Sequence, residues 1–268
     1  MSAARQLVLG VGISATSYEE VCERTNAWID EARDLREAGA VPQARYVCVT
    51  PVHSIMLARA DAAFRHIVNN ADMATPDGMP VVWAMRSFGR RGQPRVYGPT
   101  LMLHLCESAQ RRGHRVFLYG ARKETLGALR RNLLSRFPEL AIVGCYAPPF
   151  RPLTAEEDAE VTRSIVESRA DIVFVGIGTP KQDAWMAAHR ASLPGVVMFG
   201  VGAAFDFHAG RVQQAPPWMQ RNGLEWLYRL SREPKRLWRR YLVQTPLFVP
   251  LWFLQLAGVL RYPSRESS

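Results

Sequence analysis

Several polar and charged side chains suited to acid-base chemistry or anion binding stand beside apolar runs of the chain. Asp77 lies between a proline and a glycine in ADMATPDGMPVVW, and Arg95 precedes a predicted helix in PRVYGPT. Lys181 and Gln182 stand at the predicted start of another helix in GTPKQDAWM. A carboxylate can act as a general base, whereas arginines and helix N-termini both favour anions. These residues are therefore candidates for binding a polar or phosphorylated ligand.

Each of these residues also has a simpler structural explanation. An aspartate before a glycine is common in turns and at helix N-caps. Lys181 and Gln182 can be ordinary residues of a helix N-terminus, and Arg95 can be a solvated surface residue. The short stretches alone leave both interpretations open.

Metal and dinucleotide motifs are weak or missing. The six histidines have no metal-ligand spacing, the four cysteines include no C-x-x-C pair, and no D-x-D occurs. We therefore expect no metal and no cofactor. GVGISA resembles half of a dinucleotide fingerprint but lacks its third glycine, so NAD(P) binding remains only an alternative. A lone histidine such as His53 is more often structural than catalytic.

Short apolar runs alternate with helical segments up to about residue 205, which predicts an α/β fold of the Rossmann-like type. The expected sheet is mostly parallel with helices on both faces. Its expected strands, the first of them in the N-terminal segment, are LVLGVGI, YVCVT, ADMATP, RVFLYG, AIVGCYA, DIVFVGIG and VVMFGVG. Ligands bind at the carboxyl ends of such strands. The loops TPVH, TPDG, GIGTPKQ and GVGAAFDF are therefore expected on one rim.

Composition restricts the class of protein. A hydrophobic content of 48% with 22% charged residues is typical of a globular chain. No uninterrupted apolar stretch reaches the roughly 20 residues of a membrane-spanning helix, and the N-terminus does not resemble a signal peptide. The widely scattered cysteines favour a protein that resides in the reducing cytoplasm.

The C-terminal part differs from the rest and predicts a second region over 211–268, after a Rossmann-like domain over 1–210. It holds ten basic and three acidic residues, so +7 of the net charge of +10 lies there. Arginines recur on one face of GLEWLYRLSREPKRLWRRYL, Pro234 is expected to start a new helix, and PLFVPLWFLQLAGVL is strongly apolar. Phosphates, a bilayer surface and RNA are possible partners of a basic amphipathic helix, and simple packing on the domain is the alternative. The aliphatic segment favours the membrane.

Taken in order, the motifs resemble the WecG/TagA/CpsF glycosyltransferases, glycosyltransferase family 26. The matching motifs are T-P-x-x, PDG-M, RVYGP, VFLYG, VGIG-x-PKQD, GVGAAFDFHAG, GLEWLYRL, EP-x-R and RRY. The resemblance covers roughly residues 7–245. Two departures stand out: His53 where many members have asparagine nearby, and Asp183 where glutamate is usual.

The resemblance implies an inverting, metal-independent transfer from a UDP-sugar to a polyprenyl-diphosphate-linked sugar. Asp77 would be the catalytic base. Together with the strand-end loops, the resemblance predicts substrate-binding residues Thr50, His53, Gly78, Arg95, Gly178, Lys181, Gln182 and Asp206. The acceptor diphosphate and the membrane would meet Arg221, Arg229, Arg232, Arg236, Arg239 and Arg240.

The expected role is synthesis of a surface polysaccharide or exopolysaccharide on the inner face of the cell membrane. Inversion needs a single displacement and hence one carboxylate opposite the leaving group, which a lone Asp77 satisfies. A homo-oligomer is compatible with the sequence, and no nucleic-acid partner is expected. A basic nucleic-acid-binding protein and an NAD(P)-dependent Rossmann enzyme are the alternatives.

Overall fold

The computed structural model describes residues 4–262, apart from the side chain of Arg236. The chain forms two compact units, each assembled from separate stretches of sequence. Unit 1 contains Met1–Ser17, Val49–Tyr97 and Gln214–Ser268, and unit 2 contains Tyr18–Cys48 and Gly98–Gln213. The last segment therefore groups with the stretch that holds Asp77 and Arg95. The predicted functional boundary at residue 210 stays a prediction.

The secondary structure alternates as the sequence predicts. The strands are β1 (Arg5–Val8), β2 (Val11–Ser14), β3 (Arg45–Thr50), β4 (Met73–Pro76), β5 (Arg115–Gly120), β6 (Ala141–Tyr146), β7 (Ile172–Gly176) and β8 (Val197–Gly200). The helices are α1 (Tyr18–Glu37), α2 (Val52–Ala60), α3 (Ala62–Asn70), α4 (Met79–Ser87), α5 (Gly98–Arg112), α6 (Lys123–Arg136), α7 (Ala155–Glu167), α8 (Lys181–Ala188), α9 (Ala204–His208), α10 (Pro217–Arg221), α11 (Glu225–Arg232), α12 (Pro234–Trp238) and α13 (Thr245–Leu256), with a π-helix at Arg239–Gln244 between the last two.

Six strands form one sheet in the order β4-β3-β8-β7-β5-β6, flanked by helices. The pairs β3–β8, β8–β7, β7–β5 and β5–β6 are parallel. Val173, Phe174 and Val175 of β7 are fully buried, as expected for a parallel strand covered on both faces. The predicted α/β fold is therefore confirmed.

The N-terminal run LVLGVGI was predicted as one strand of this sheet, and that prediction is wrong. It forms a separate antiparallel hairpin in which β1 pairs with β2, Val8 opposite Val11. Leu9 and Gly10 turn the chain with φ of 49° and 83°, the left-handed backbone of a tight two-residue hairpin turn. The GVG segment therefore opens no helix, and the dinucleotide fingerprint lacks its required setting.

Local signals within the helices are confirmed. Thr154 and Glu157 form a capping box at the start of α7, with N–H to side-chain oxygen distances of 3.2 and 2.9 Å. Pro234 is the first residue of α12.

Within the described residues, no helix combines the length and the apolar character needed to cross a membrane.

Two glycines allow the carboxyl ends of β5 and β7 to pack side by side in unit 2. Gly120 pairs with Gly176, and a Cβ at Gly120 would lie 2.6 Å from the backbone carbonyl carbon of Gly176. Gly120 also has a φ of 134°, which side-chain-bearing residues rarely adopt. Neither strand can move aside without breaking its ladder.

Replacing Gly120 with alanine is therefore expected to lower the free energy of unfolding by about 3 kcal/mol through backbone strain and overpacking. Gly127→Ala in α6 is the matched control, because a Cβ there would meet only the end of the Arg131 side chain at 3.6 Å. Alanine should stabilise that helix by up to about 1 kcal/mol. Urea unfolding of the two variants measures the difference, and equal midpoints would contradict this account of Gly120.

Candidate active site

Asp77 lies in the turn between β4 and α4 in unit 1. Its backbone N–H donates to the carbonyl oxygen of Thr50 at the end of β3, at 3.3 Å. Gly78, with φ of 89°, is the N-cap residue of α4, and no side chain caps that helix. The N-cap interpretation of Asp77 is therefore wrong, and its carboxylate is directed to other partners.

The partner of Asp77 is Arg95, which lies between two carboxylates. Its Nη2 is 3.5 Å from Oδ1 of Asp77 and 2.6 Å from Oε2 of Glu225. The hydroxyl of Tyr97 donates to the other oxygen of Glu225 at 2.8 Å, and the guanidinium carbon of Arg95 lies 4.0 Å from the centre of the Tyr97 ring. We call Asp77, Arg95, Tyr97 and Glu225 the carboxylate cluster.

The carboxylate cluster is largely removed from water. The side chains of Asp77, Arg95 and Glu225 are 17%, 15% and 12% exposed. Charges at such positions persist only when they are paired and hydrogen-bonded. Within the cluster one guanidinium is shared by two carboxylates, and the Tyr97 hydroxyl supplies a further hydrogen bond to Glu225.

Burial and four neighbouring charges act on the pKa of the Asp77 carboxyl. Burial is the largest of these effects and raises the pKa of the Asp77 carboxyl, because a charged carboxylate is less stable away from water. Arg95 lowers this pKa, Glu225 raises it, and Arg240 and Arg229 lower it, with a net direction upward. A raised pKa makes the carboxylate a stronger base than an ordinary aspartate.

Glu225 is the functional candidate that sequence reasoning missed. It lies in the first turn of α11, where an acidic residue is explained by the helix dipole. The available signal was its presence as one of few acidic residues in a basic segment, four positions before Arg229. That signal does not identify its partner, which lies 130 residues away.

His53 lies in the first turn of α2, and its Nδ1 is 2.6 Å from Oε1 of Gln244 in the π-helix. Burial, then the charge of Arg240, lowers the pKa of His53 to about 4, while the hydrogen bond to Gln244 opposes this shift. The ring is neutral at pH 7, so Nδ1–H donates to Gln244 and Nε2 carries a lone pair. Thr50 is fully buried at the end of β3.

The remaining predicted substrate-binding residues belong to unit 2. Gln182 is buried, accepts the Gly178 N–H at 3.1 Å and lies 3.4 Å from the hydroxyl of Thr179. Its side chain thus closes the loop between β7 and α8. Lys181 is exposed at the start of α8, and Asp206 is half-buried in α9. Asp183 is buried, and burial raises its pKa to about 6.

The C-terminal arginines separate into two groups. Arg229 and Arg240 are half-buried and act electrostatically on Asp77. The exposed group consists of Arg221, Arg232 and Arg239. The side chain of Arg236 lies outside the described part of the structure.

A carboxylate of raised basicity after a strand of a parallel α/β sheet, with arginines around it, is suited to general-base chemistry on an anionic substrate. The family model of the glycosyl transferase WecG/TagA/CpsF family matches residues 6–261. The chain belongs to this family and is a glycosyltransferase.

Two curated relatives carry the same name, N-acetylglucosaminyldiphosphoundecaprenol N-acetyl-beta-D-mannosaminyltransferase. The protein of Bacillus subtilis (strain 168) is 32% identical over 182 residues, covering 68% of this chain and 69% of the relative. The protein of Bacillus spizizenii (strain ATCC 23059 / NRRL B-14472 / W23) is 34% identical over 179 residues, covering 67% of each.

Because the folded pKa of His53 lies below the ordinary value of 6.5, the unfolded chain binds a proton there more readily than the folded chain. The stability contributed by neutral His53 is complete above pH 6.5 and is lost as the pH falls towards about 4. His53→Asn removes this titration, so its urea midpoint should fall less between pH 7.5 and pH 4.5 than the wild-type midpoint does.

His66→Asn is the control, since it removes an exposed histidine of unit 1 and leaves the His53–Gln244 bond intact. Its pH dependence should follow wild type. Parallel midpoint curves for His53→Asn and wild type would show that His53 is not held neutral by the fold.

Proposed function

We propose that this enzyme transfers a sugar, with inversion, from a UDP-sugar to a polyprenyl-diphosphate-linked sugar, with Asp77 as the general base. The observation that carries the proposal is the position of Asp77, which does not cap α4 and instead lies 3.5 Å from Arg95. The names of the two relatives support a diphosphoundecaprenol-linked acceptor and an N-acetylhexosamine as the transferred sugar. Such a reaction serves surface polysaccharide or exopolysaccharide synthesis.

The proposed reaction is a single displacement. Asp77 takes the proton of the acceptor hydroxyl as its oxygen attacks the anomeric carbon, and UDP leaves with the bonding electron pair from the opposite face. The raised pKa of Asp77 favours the proton transfer. Positive side chains stabilise the charge on the departing diphosphate, so the proposed reaction requires no metal ion.

Glu225 is a second carboxylate near Asp77, and its contacts argue against its acting as a covalent nucleophile. One of its oxygens accepts from Arg95 and the other from Tyr97. A covalent nucleophile needs a carboxylate oxygen offered to the anomeric carbon. Both oxygens of Glu225 already have protein donors, which leaves Asp77 as the candidate for chemistry.

The proposed substrate contacts follow the predicted set. In unit 1 these contacts are Thr50, His53, Gly78 and Arg95. The predicted contacts of unit 2, namely Gly178, Lys181, Gln182 and Asp206, stay predictions. The half-buried Arg229 and Arg240 would meet acceptor diphosphate near the base, because both act on Asp77. The exposed Arg221, Arg232 and Arg239 would meet the membrane surface.

Asp77→Asn is expected to lower kcat by about 10²–10⁴-fold, the usual contribution of a general base, while UDP-sugar binding is retained. Transfer to a polyprenyl-diphosphate-linked sugar is measured with and without EDTA, and donor binding is measured by calorimetry. Asp61→Asn is the matched control, because Asp61 caps α3 in the same unit and asparagine caps equally well. Turnover of Asp77→Asn at the Asp61→Asn rate would remove Asp77 from the mechanism, and loss of turnover in EDTA would overturn metal independence.

We further propose that α13 contacts the inner face of the cytoplasmic membrane. Its inward side holds the buried Phe248. On the same side, Trp252 donates a hydrogen bond to the Ser87 hydroxyl, and Gln255 hydrogen-bonds the backbone of the β1–β2 hairpin. Its outward side exposes Leu247, Val249, Phe253, Leu254 and Leu256. The helix has no charged residue. An exposed helix face this apolar suits a bilayer interface and has little use on a nucleic-acid surface.

Leu247→Ser/Phe253→Ser is therefore expected to lower binding to phosphatidylglycerol-containing vesicles at least about tenfold, because two exposed apolar anchors are lost. Val41→Ser/Phe150→Ser is the matched control, since these unit 2 side chains are 82% and 83% exposed. Sedimentation of both variants with vesicles measures the difference. Equal sedimentation would contradict the assignment of α13, and a salt-sensitive shift with RNA in place of vesicle binding would favour a nucleic-acid partner.

A further inference from the structure

Arg95 is bound more closely by Glu225 than by Asp77. The 2.6 Å distance to Glu225 is that of a short charge-assisted hydrogen bond. The 3.5 Å distance to Asp77 lies at the outer limit of hydrogen bonding. Both contacts use the same nitrogen, Nη2, so a shift of the guanidinium towards one carboxylate takes it from the other.

Tyr97 fixes Glu225 and Arg95 together. Its hydroxyl donates to Glu225 at 2.8 Å, and its ring lies against the Arg95 guanidinium at 4.0 Å, a cation–π distance. Burial, followed by the charge of Glu225, raises the pKa of Tyr97. The hydroxyl therefore keeps its proton and acts as a donor at every working pH.

We propose that Glu225 is a positioning residue that draws Arg95 away from Asp77 and thereby keeps the Asp77 carboxylate available to accept a proton. The inference rests on the proposed role of Asp77 as the base. Glu225 itself touches no reacting atom in this account. It acts through Arg95, and Tyr97 holds it in place.

The direction of the effect follows from the charges that face Asp77. These are Arg95, Glu225, Arg229 and Arg240. Without the negative charge of Glu225, three guanidinium groups face one carboxylate, and Arg95 is free to close the gap to Asp77. Both changes stabilise the ionised carboxylate, so Asp77 becomes a weaker base and is less available to the acceptor hydroxyl.

The test compares the pH dependence of kcat/KM, whose acid limb reports ionisation of the base in the free enzyme. Glu225→Gln keeps the size of the side chain and an oxygen acceptor but loses the charge. Its acid limb is expected to move about one pH unit lower, with kcat at the plateau reduced roughly tenfold. Glu225→Asp keeps the negative charge, but its shorter side chain lies farther from Arg95. Its acid limb should therefore move in the same direction by a smaller amount.

Glu157→Gln is the matched control, because the Glu157–Arg151 pair has the same 2.6 Å distance and lies in unit 2. Its acid limb and kcat should equal those of wild type. Circular dichroism and thermal unfolding establish that each variant is folded. If Glu225→Gln fails to fold, Glu225→Asp alone decides, and a limb at the wild-type position overturns the proposal.

The outcomes separate this inference from the proposed function. If the acid limb of Glu225→Gln lies at lower pH and Asp77→Asn is inactive, the base role of Asp77 and the positioning role of Glu225 are both supported. A lower kcat with an unmoved limb would mean that Glu225 only supports the fold, and it overturns the positioning role while leaving Asp77 as the base. Activity in Asp77→Asn refutes the base assignment itself and the Glu225 inference with it.

Discussion

The guanidinium of Arg95 shared between two largely buried carboxylates is the interaction on which the rest of the site depends. Charges removed from water are tolerated only with close partners, and Arg95, Tyr97 and Glu225 supply those partners for one another. Asp77 is left with a longer contact to Arg95. The carboxylate therefore remains ionisable yet loosely held, which is the condition that a general base requires.

The carboxylate cluster joins two of the three stretches of sequence that form unit 1. The turn after β4 contributes Asp77, the segment before α5 contributes Arg95 and Tyr97, and α11 contributes Glu225 from the C-terminal stretch. The C-terminal stretch thus belongs to the same unit as Asp77. It also carries the apolar outward side of α13, so an enzyme anchored through α13 would hold its base in the same compact unit as its membrane contact.

The two ends of the C-terminal stretch differ in their charge: α11 carries charged side chains, whereas α13 carries none. In α11 the buried Glu225 is paired with Arg95 and Tyr97, and the half-buried Arg229 acts electrostatically on Asp77. In α13 charge is absent, and the buried side includes Phe248 and Gln255, which hydrogen-bonds the backbone of Leu7 and Leu9. The stretch therefore has one end at α11, where Glu225 is paired with Arg95, and another at α13, where apolar side chains are exposed.

The sequence alone determined the features that depend on near neighbours. Valine-rich and isoleucine-rich runs ended by glycine predicted the parallel strands, Thr154 and Glu157 predicted their capping box, and Pro234 predicted a helix start. The ordered motifs also indicated the family and singled out Asp77. The tertiary structure decided three other features: the turn of LVLGVGI into a hairpin at Leu9 and Gly10, the release of Asp77 from helix capping, and the pairing of Glu225 with Arg95. Local patterns could not decide them, because an acidic residue in the first turn of a helix looks the same whether it faces the helix dipole or a guanidinium 130 residues away.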